Sequence, residues 1–137
     1  MEPDEFKPAF ERLTRDSLFA KWKALHDSCY FSYALSMSGE GEEQLWHFGF
    51  YDKAEDRVTS FSVGKLVSVQ EESSEVFKAQ GHIVKEIEVD KIKISLKDVL
   101  LSVKAFLKEN YPSEIPLKVI VNLMNSEELG TVWNVSF

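Results

Sequence analysis

His26, His47 and His82, the single cysteine Cys29 and several close carboxylate pairs are the residues of this chain able to act as ligands, nucleophiles or acid–base groups. None of the histidines stands in an HExxH arrangement or beside a CxxC, the spacings that place ligands on one metal ion, so no metal and no cofactor is expected. His47 and His82 fall in apolar-alternating segments, where a hydrogen-bonded or outward imidazole is the ordinary case. The string His26-Asp27-Ser28-Cys29 has the letters of a nucleophile site. Catalytic triads are assembled in space, however, and consecutive residues at a helix end do not converge on one another. Cys29, followed by Tyr30 and Phe31, reads as a buried, inert thiol.

The carboxylate pairs Glu42 with Glu43, Glu71 with Glu72 and Glu127 with Glu128 lie on turns, and Glu86 with Glu88, alternating with Ile87 and Val89, reads as the wet side of a strand, so that all stay hydrated. A general acid needs burial or a crowded like charge to shift its pKa. Asp52 to Asp56 lacks the glycine and oxygen-ligand spacing of a calcium loop. Gly39 and Gly41 sit among acids that would repel a phosphate. The sequence thus supplies no catalytic residue. Its unusual concentration is aromatic: Trp22, Tyr30, Phe31, Tyr33, Trp46, Phe48, Phe50 and Tyr51. Most of this group is expected to be core. Trp22, Tyr30, Tyr33, Trp46 and Tyr51, with their polar tips, form the candidate binding surface.

The elements that would carry these residues follow from periodicity. Phe6, Phe10 and Leu13 repeat at helical spacing from Asp4, Leu18, Trp22 and Leu25 continue the pattern to about Asp27, and Thr14 or Asp16 could cap a second helix after a kink. Tyr30 to Met37 and Gln44 to Tyr51 read as a hairpin, and Phe61, Val63, Val67 and Val69 alternate as a third strand. Gln70 to Gln80 reads as a solvated loop or short helical turn. Ile83, Ile87 and Val89 alternate again, with a phase slip near Asp90. Ser95 is a helix N-cap with an acid three residues on, and Val99, Val103 and Phe106, flanked by Leu100 and Leu107, mark the buried face of that helix to about Asn110. Leu117 to Met124 and Thr131 to Phe137 form a last hairpin.

The chain says one thing twice. Lys23-Ala24-Leu25 leads into strands ending Leu45-Trp46-His47-Phe48-Gly49-Phe50, and Lys104-Ala105-Phe106 into strands ending Val132-Trp133-Asn134-Val135-Ser136-Phe137. The expectation is one compact domain, residues 1–137, made of two diverged repeats, about 4–70 and about 82–137, joined by a polar segment 71–81. In fold class it is α+β, two α-β-β units whose helices pack on one face of an antiparallel sheet.

With 137 residues, 44% apolar and 12% aromatic, the chain has the material for one packed core. Its net charge of −7, with basic residues scattered among acids, argues against a sequence-independent nucleic-acid role. A lone cysteine forms no internal disulfide. Met1-Glu2-Pro3-Asp4-Glu5 lacks the charged and apolar regions of a secretory signal, and no apolar run approaches the roughly 20 residues of a membrane span, so a soluble cytoplasmic protein with no membrane partner is expected.

Glu86-Ile87-Glu88-Val89-Asp90-Lys91-Ile92-Lys93-Ile94-Ser95-Leu96-Lys97-Asp98-Val99, then Tyr111-Pro112, then Thr131-Val132-Trp133-Asn134-Val135-Ser136-Phe137 resembles the PepSY family, with Val99 in place of the usual small residue. The resemblance covers about residues 86–137, and more loosely Phe19 to Val69. It implies a helix laid across an antiparallel sheet, cystatin-like in outline and often in tandem, and a non-catalytic role in restraining a peptidase or another partner.

The favoured reading is a non-enzymatic interaction or regulatory module for a protein or peptide partner. A small-molecule binder or enzyme would use a cystatin-like or NTF2-like cup lined by Trp22, Tyr33 and Trp46. A third reading is an acidic, secretion-chaperone-like clamp for an extended peptide. The sequence leaves the oligomeric state and strand order open.

Overall fold

The computed structural model describes residues 6–39, 45–64, 69–75, 84–92, 94–113, 118–126 and 128–136. Expectations that fall on His82, Ile83, the Gly41–Glu43 turn and Leu117 lie outside the described residues. The fold is α+β. Two helices, α1 (Phe6–Arg15) and α2 (Ser17–Leu25), precede four strands, β1 (Tyr30–Gly39), β2 (Leu45–Asp52), β3 (Arg57–Val63) and β4 (Val69–Glu75). A 3-10 turn at Val89–Lys91 leads to α3 (Leu96–Asn110), and β5 (Lys118–Ser126) and β6 (Gly130–Ser136) close the chain. All six strands form one antiparallel sheet in the order β4-β3-β2-β1-β5-β6.

The helix breaks fall where capping chemistry puts them. Asp16 ends α1 and starts α2, its Oδ1 accepting from the amides of Leu18 at 2.9 Å and Phe19 at 3.3 Å. These are amides that the first turn of a helix otherwise leaves without partners. Ser95 does the same for α3, accepting from the Asp98 amide at 3.2 Å.

The core lies on one face of the sheet. Its floor is Phe31 and Ala34 of β1, Trp46, Phe48 and Phe50 of β2, Phe61 and Val63 of β3, and Val121 and Leu123 of β5. Phe6, Ala9 and Leu13 of α1, Phe19 and Trp22 of α2 and Leu96 of α3 cover it. The helices carry aromatics onto a strand that makes room for them. β1 presents small residues, Ala34 and Ser36, both fully buried, at the sheet centre. Phe6 settles above them, its ring 5.5 Å from Trp46 and 5.3 Å from Trp133, edge-on to both. Phe10 meets Phe31 and Phe48 at 5.0 and 5.4 Å. Edge-to-face pairs of this kind add about 0.5–1.5 kcal/mol beyond the area they bury.

The two hairpins share a register. Trp46 pairs with Ser36, Trp133 pairs with Leu123, and the shift that carries one hairpin onto the other maps the central pair Leu35↔Asn122 onto itself. Trp46 and Trp133 therefore occupy like places about an approximate two-fold through the sheet. Their covers differ. Trp46 is 1% exposed beneath α1, whereas Trp133 is half-buried and its Nε1 donates to the Ile94 carbonyl at 3.0 Å.

The fold corrects three sequence readings. Val69, read as part of the third strand, and residues 70–75, read as polar loop or helical turn, are β4, paired along its length with β3, which ends at Val63. An edge strand is held by backbone bonds to its neighbour and needs no apolar stripe of its own. The alternation of Ile87 and Val89 does not make a strand. Ile87 donates its amide to the Phe31 carbonyl at 2.7 Å and buries its side chain, while Asn125 donates to the Glu86 carbonyl at 2.9 Å, so this segment plugs the place beside β1 where β5 has turned away. Finally, Phe106 is 53% exposed, and Leu96 alone of α3 is buried.

Candidate functional site

The face of the sheet opposite the helices is set by a bulge. The ladder between β1 and β2 shifts between Phe31 and Tyr33, and the extra residue, Ser32, turns its hydroxyl to donate to the Gly49 carbonyl at 3.2 Å. A bulge inverts the phase of every later side chain on its strand. Tyr30 consequently shares the open face with Tyr33, Leu35 and Met37, while Phe31, Ala34 and Ser36 face the core. Cross-strand pairing extends that face through Leu45, His47, Gly49 and Tyr51 of β2, Val58, Ser60 and Ser62 of β3, Ile120, Asn122 and Met124 of β5, and Val132 and Asn134 of β6.

Lys118 of β5, paired with Gly39, and Glu72 of β4, paired with Ser60, are in register with this face at its margins. Between them no position of the face on β1, β2, β3 or β6, or from Ile120 to Ser126 of β5, is Lys, Arg, Asp or Glu, in a chain that is 28% charged. An antiparallel sheet with one wet face normally alternates apolar inward with polar outward. Here the outward positions include Tyr33, Leu35, Met37, Leu45, Ile120, Met124 and Val132. Met37 and Leu45, paired side by side, are 37% and 38% exposed. Loss of charge with gain of aromatic and methionine side chains is the compositional mark of an interface centre. His47 is the one titratable side chain of its row, and its Nδ1 lies 2.9 Å from Ser62 Oγ.

At the middle of this face the Tyr33 ring lies flat across Gly49. A Cβ on Gly49 would stand 1.9 Å from Tyr33 Cε1 and 2.3 Å from Cδ1, so glycine is required for the ring to lie down. Nearby, Tyr51 is buried, its ring 5.7 Å from that of Tyr30, and its hydroxyl donates to Asp56 Oδ1. Tyr30 donates its own hydroxyl to the Val84 carbonyl at 2.5 Å. Tyr30 and Tyr33 of the candidate binding surface are thus half-buried on the open face, whereas Tyr51, in register with them, is 3% exposed and offers no surface to a partner. Trp22 and Trp46 lie in the core on the other side, where Trp22 stacks on His26 at 4.6 Å and packs against Phe50 and Phe61. Tyr33 therefore does not line one cup with Trp22 and Trp46.

Leu35, Met37, Leu45, Ile120, Met124 and Val132 belong to this surface and were not singled out in the sequence. Strict alternation counted from Phe31 gives the wrong side for everything after the bulge, and Ser32 is the only local signal of it.

A second concavity, an open groove of about 440 Å³, lies between the segment leading into α3 and the β5–β6 turn. Ile92, Ile94, Val99, Leu129 and Trp133 line it, with one cation, Lys91, and no carboxylate or imidazole among its described lining residues. Lys91 is bridged at 2.7 Å to exposed Glu88.

Cys29 is 5% exposed. Burial pushes its thiol pKa up from the ordinary value, with Asp52 and Glu55 adding to the effect and Lys23 opposing it. Such a thiol is a poor nucleophile. Among the described residues no three His, Cys, Asp or Glu side chains gather where they could hold a metal ion, and no helix is long and apolar enough to cross a membrane.

Comparison with protein-family models, with curated proteins and with solved structures finds no significant match to this chain.

Proposed function

We propose that this protein is a non-enzymatic interaction module that binds a largely apolar segment of a protein or peptide partner on the open face of its sheet. The observation that carries the reading is the uncharged, largely apolar centre of that face, Tyr33, Leu35, Met37, Leu45, Ile120 and Met124, with Lys118 and Glu72 in register only at its margins. Met37 and Leu45 are exposed there with Leu35, Ile120 and Met124 half-buried beside them, and a contiguous apolar patch of this kind marks an interaction site. Uncharged Asn122 and Asn134, directly paired across β5 and β6, supply hydrogen-bonding groups without imposing a charge on the partner.

The resemblance of residues 86–99, 111–112 and 131–137 to PepSY domains supports the same class of role, restraint or regulation of a partner. The matching hairpin registers are in keeping with two diverged copies of one unit. A cytoplasmic setting remains part of this proposal.

A second reading, a small-molecule binder, draws on the groove between Ile94, Val99, Leu129 and Trp133, whose volume falls in the range of about 300–1,000 Å³ usual for ligand sites. The two are separated by displaying random peptides against the intact chain and against Leu35→Lys/Met124→Lys, with helix and sheet content checked by circular dichroism. Peptide enrichment on the wild type and its loss on the folded variant supports the open face. Equal enrichment on both, or none on either, removes it.

A further inference from the structure

We propose that the β6 edge seats a second copy of this chain, joined by antiparallel β6–β6 pairing about a two-fold axis perpendicular to the sheet. This goes beyond the use of the open face and does not rest on it. The two edges of the sheet are built differently. β4, at one edge, has glutamates at positions 71, 72 and 75 of a seven-residue strand. Charge on an edge strand is a standard defence against unwanted pairing. β6, at the other edge, reads Gly-Thr-Val-Trp-Asn-Val-Ser over Gly130–Ser136, with no charge, no proline and an unbroken register against β5. Among the described residues no backbone hydrogen bond from outside the β5 ladder reaches Thr131–Ser136. One edge is guarded and the other is left available.

The occupant is set by α3. Its apolar stripe has normal helical spacing, yet only Leu96 is buried: the helix meets the sheet at β6, its last strand, with Leu100 packed partly against the core and the later turns less covered. Val99, Val103 and Leu107 stay half-buried, and Phe106, Ile94 and Leu129 are 53%, 59% and 75% exposed. Together these six side chains expose on the order of 500 Å² of apolar surface, where a standard interface covers about 800 Å² per partner and the ladder itself supplies part of the remainder. A bare peptide strand would fill the edge and leave these side chains uncovered. A second copy brings its own sheet, and a two-fold perpendicular to the sheet keeps the helices of both copies on one side, so that α3 lies beside its mate. The same residues face each other in both directions, as a two-fold interface requires.

Val132 and Asn134 point to one face of β6, and in any antiparallel self-pairing that keeps the faces matched they oppose only residues of that same set. The test is therefore a charge swap. Sedimentation equilibrium of the full chain is expected to give the mass of a dimer. Val132→Lys/Asn134→Lys and Val132→Glu/Asn134→Glu are each expected to be monomers with unchanged circular dichroism, and mixing the two variants restores a dimer. A wild type that stays monomeric at its solubility limit, a dimer that persists in both variants, or a mixture that fails to pair would overturn the proposal. Hydrogen exchange on the wild type gives a mutation-free check. β6 amides slow as concentration rises if the edge is paired, and concentration-independent exchange at β6 counts against it.

Discussion

Replacing Gly49 by alanine isolates one contact at the centre of the proposed binding face. Gly49 does not have a positive φ, so its backbone accepts alanine without strain. The obstacle is the Tyr33 ring, whose Cε1, Cδ1 and Cζ lie 1.9, 2.3 and 2.6 Å from where the new methyl would stand. Atoms of the ring's side, not a flexible tip, occupy that space, so the whole ring must lift off the sheet. Overpacking of this kind costs about 1–3 kcal/mol. Against it, alanine in a strand interior is favoured over glycine by roughly 0.5–1 kcal/mol of backbone entropy. The steric term is the larger at mid-range, leaving a net loss of about 1 kcal/mol, at most about 2.5, and a fall in Tm of a few degrees for a chain of this size. In a Tyr33→Ala background the obstacle is gone and only the entropic term remains, so Gly49→Ala should then stabilise by roughly 0.5–1 kcal/mol. Urea unfolding of the wild type, both single variants and the double variant closes the cycle. A Gly49→Ala effect of the same sign in both backgrounds would refute the account of this face.

Trp46→Ala removes a fully buried ring that touches Phe6 at 5.5 Å and Phe48 at 6.0 Å, and is expected to cost about 3–5 kcal/mol in urea unfolding; a loss below about 1 kcal/mol would mean that the aromatic floor is not the core. Cys29 is expected to resist thiol reagents in the native protein at neutral pH and to react on unfolding. Its raised thiol pKa has a definite sign in stability: the contribution is fully present below the ordinary value of 9.0 and is lost as pH rises through the higher folded value, so Cys29→Ala should flatten the alkaline decline. Substituting His26 and His82 together, neither of them among the residues described on the open face, should leave partner binding intact, at a cost of about 0.5–1.5 kcal/mol from the hydrogen bond of His26 to the Trp22 carbonyl. Lost binding with the fold retained would move the protein toward acid–base or metal chemistry.

What the sequence showed of this fold is what local chemistry decides. The break at Asp16 and the start at Ser95 were legible because each cap oxygen answers amides within three residues. The hairpins were legible because Trp46 and Trp133 sit in the same alternating string. β4 was not, since an edge strand's pairing rests on its neighbour's backbone, and among the described residues the segment around Ile87 alternates like a strand while bonding to the backbone of β1 through Ile87 alone. The candidate site was half legible. Tyr30 and Tyr33 reach one surface with Tyr51 buried beside them, but their joining with Met124 and Val132 depends on β5 lying against β1, a contact between residues far apart in the chain. The separation of Trp22 and Trp46 from the tyrosines turns on the bulge at Ser32, which one serine does not announce.

The central claim is that a partner binds the uncharged centre of the sheet's open face. It is tested most directly by titrating the isotope-labelled chain with a peptide enriched on it and following every backbone amide by NMR. The account predicts shifts concentrated at Tyr33, Leu35, Met37, Asn122 and Met124, with α1 and α2 unmoved. Shifts confined to the groove around Ile94 and Leu129, or to the helices, would contradict it.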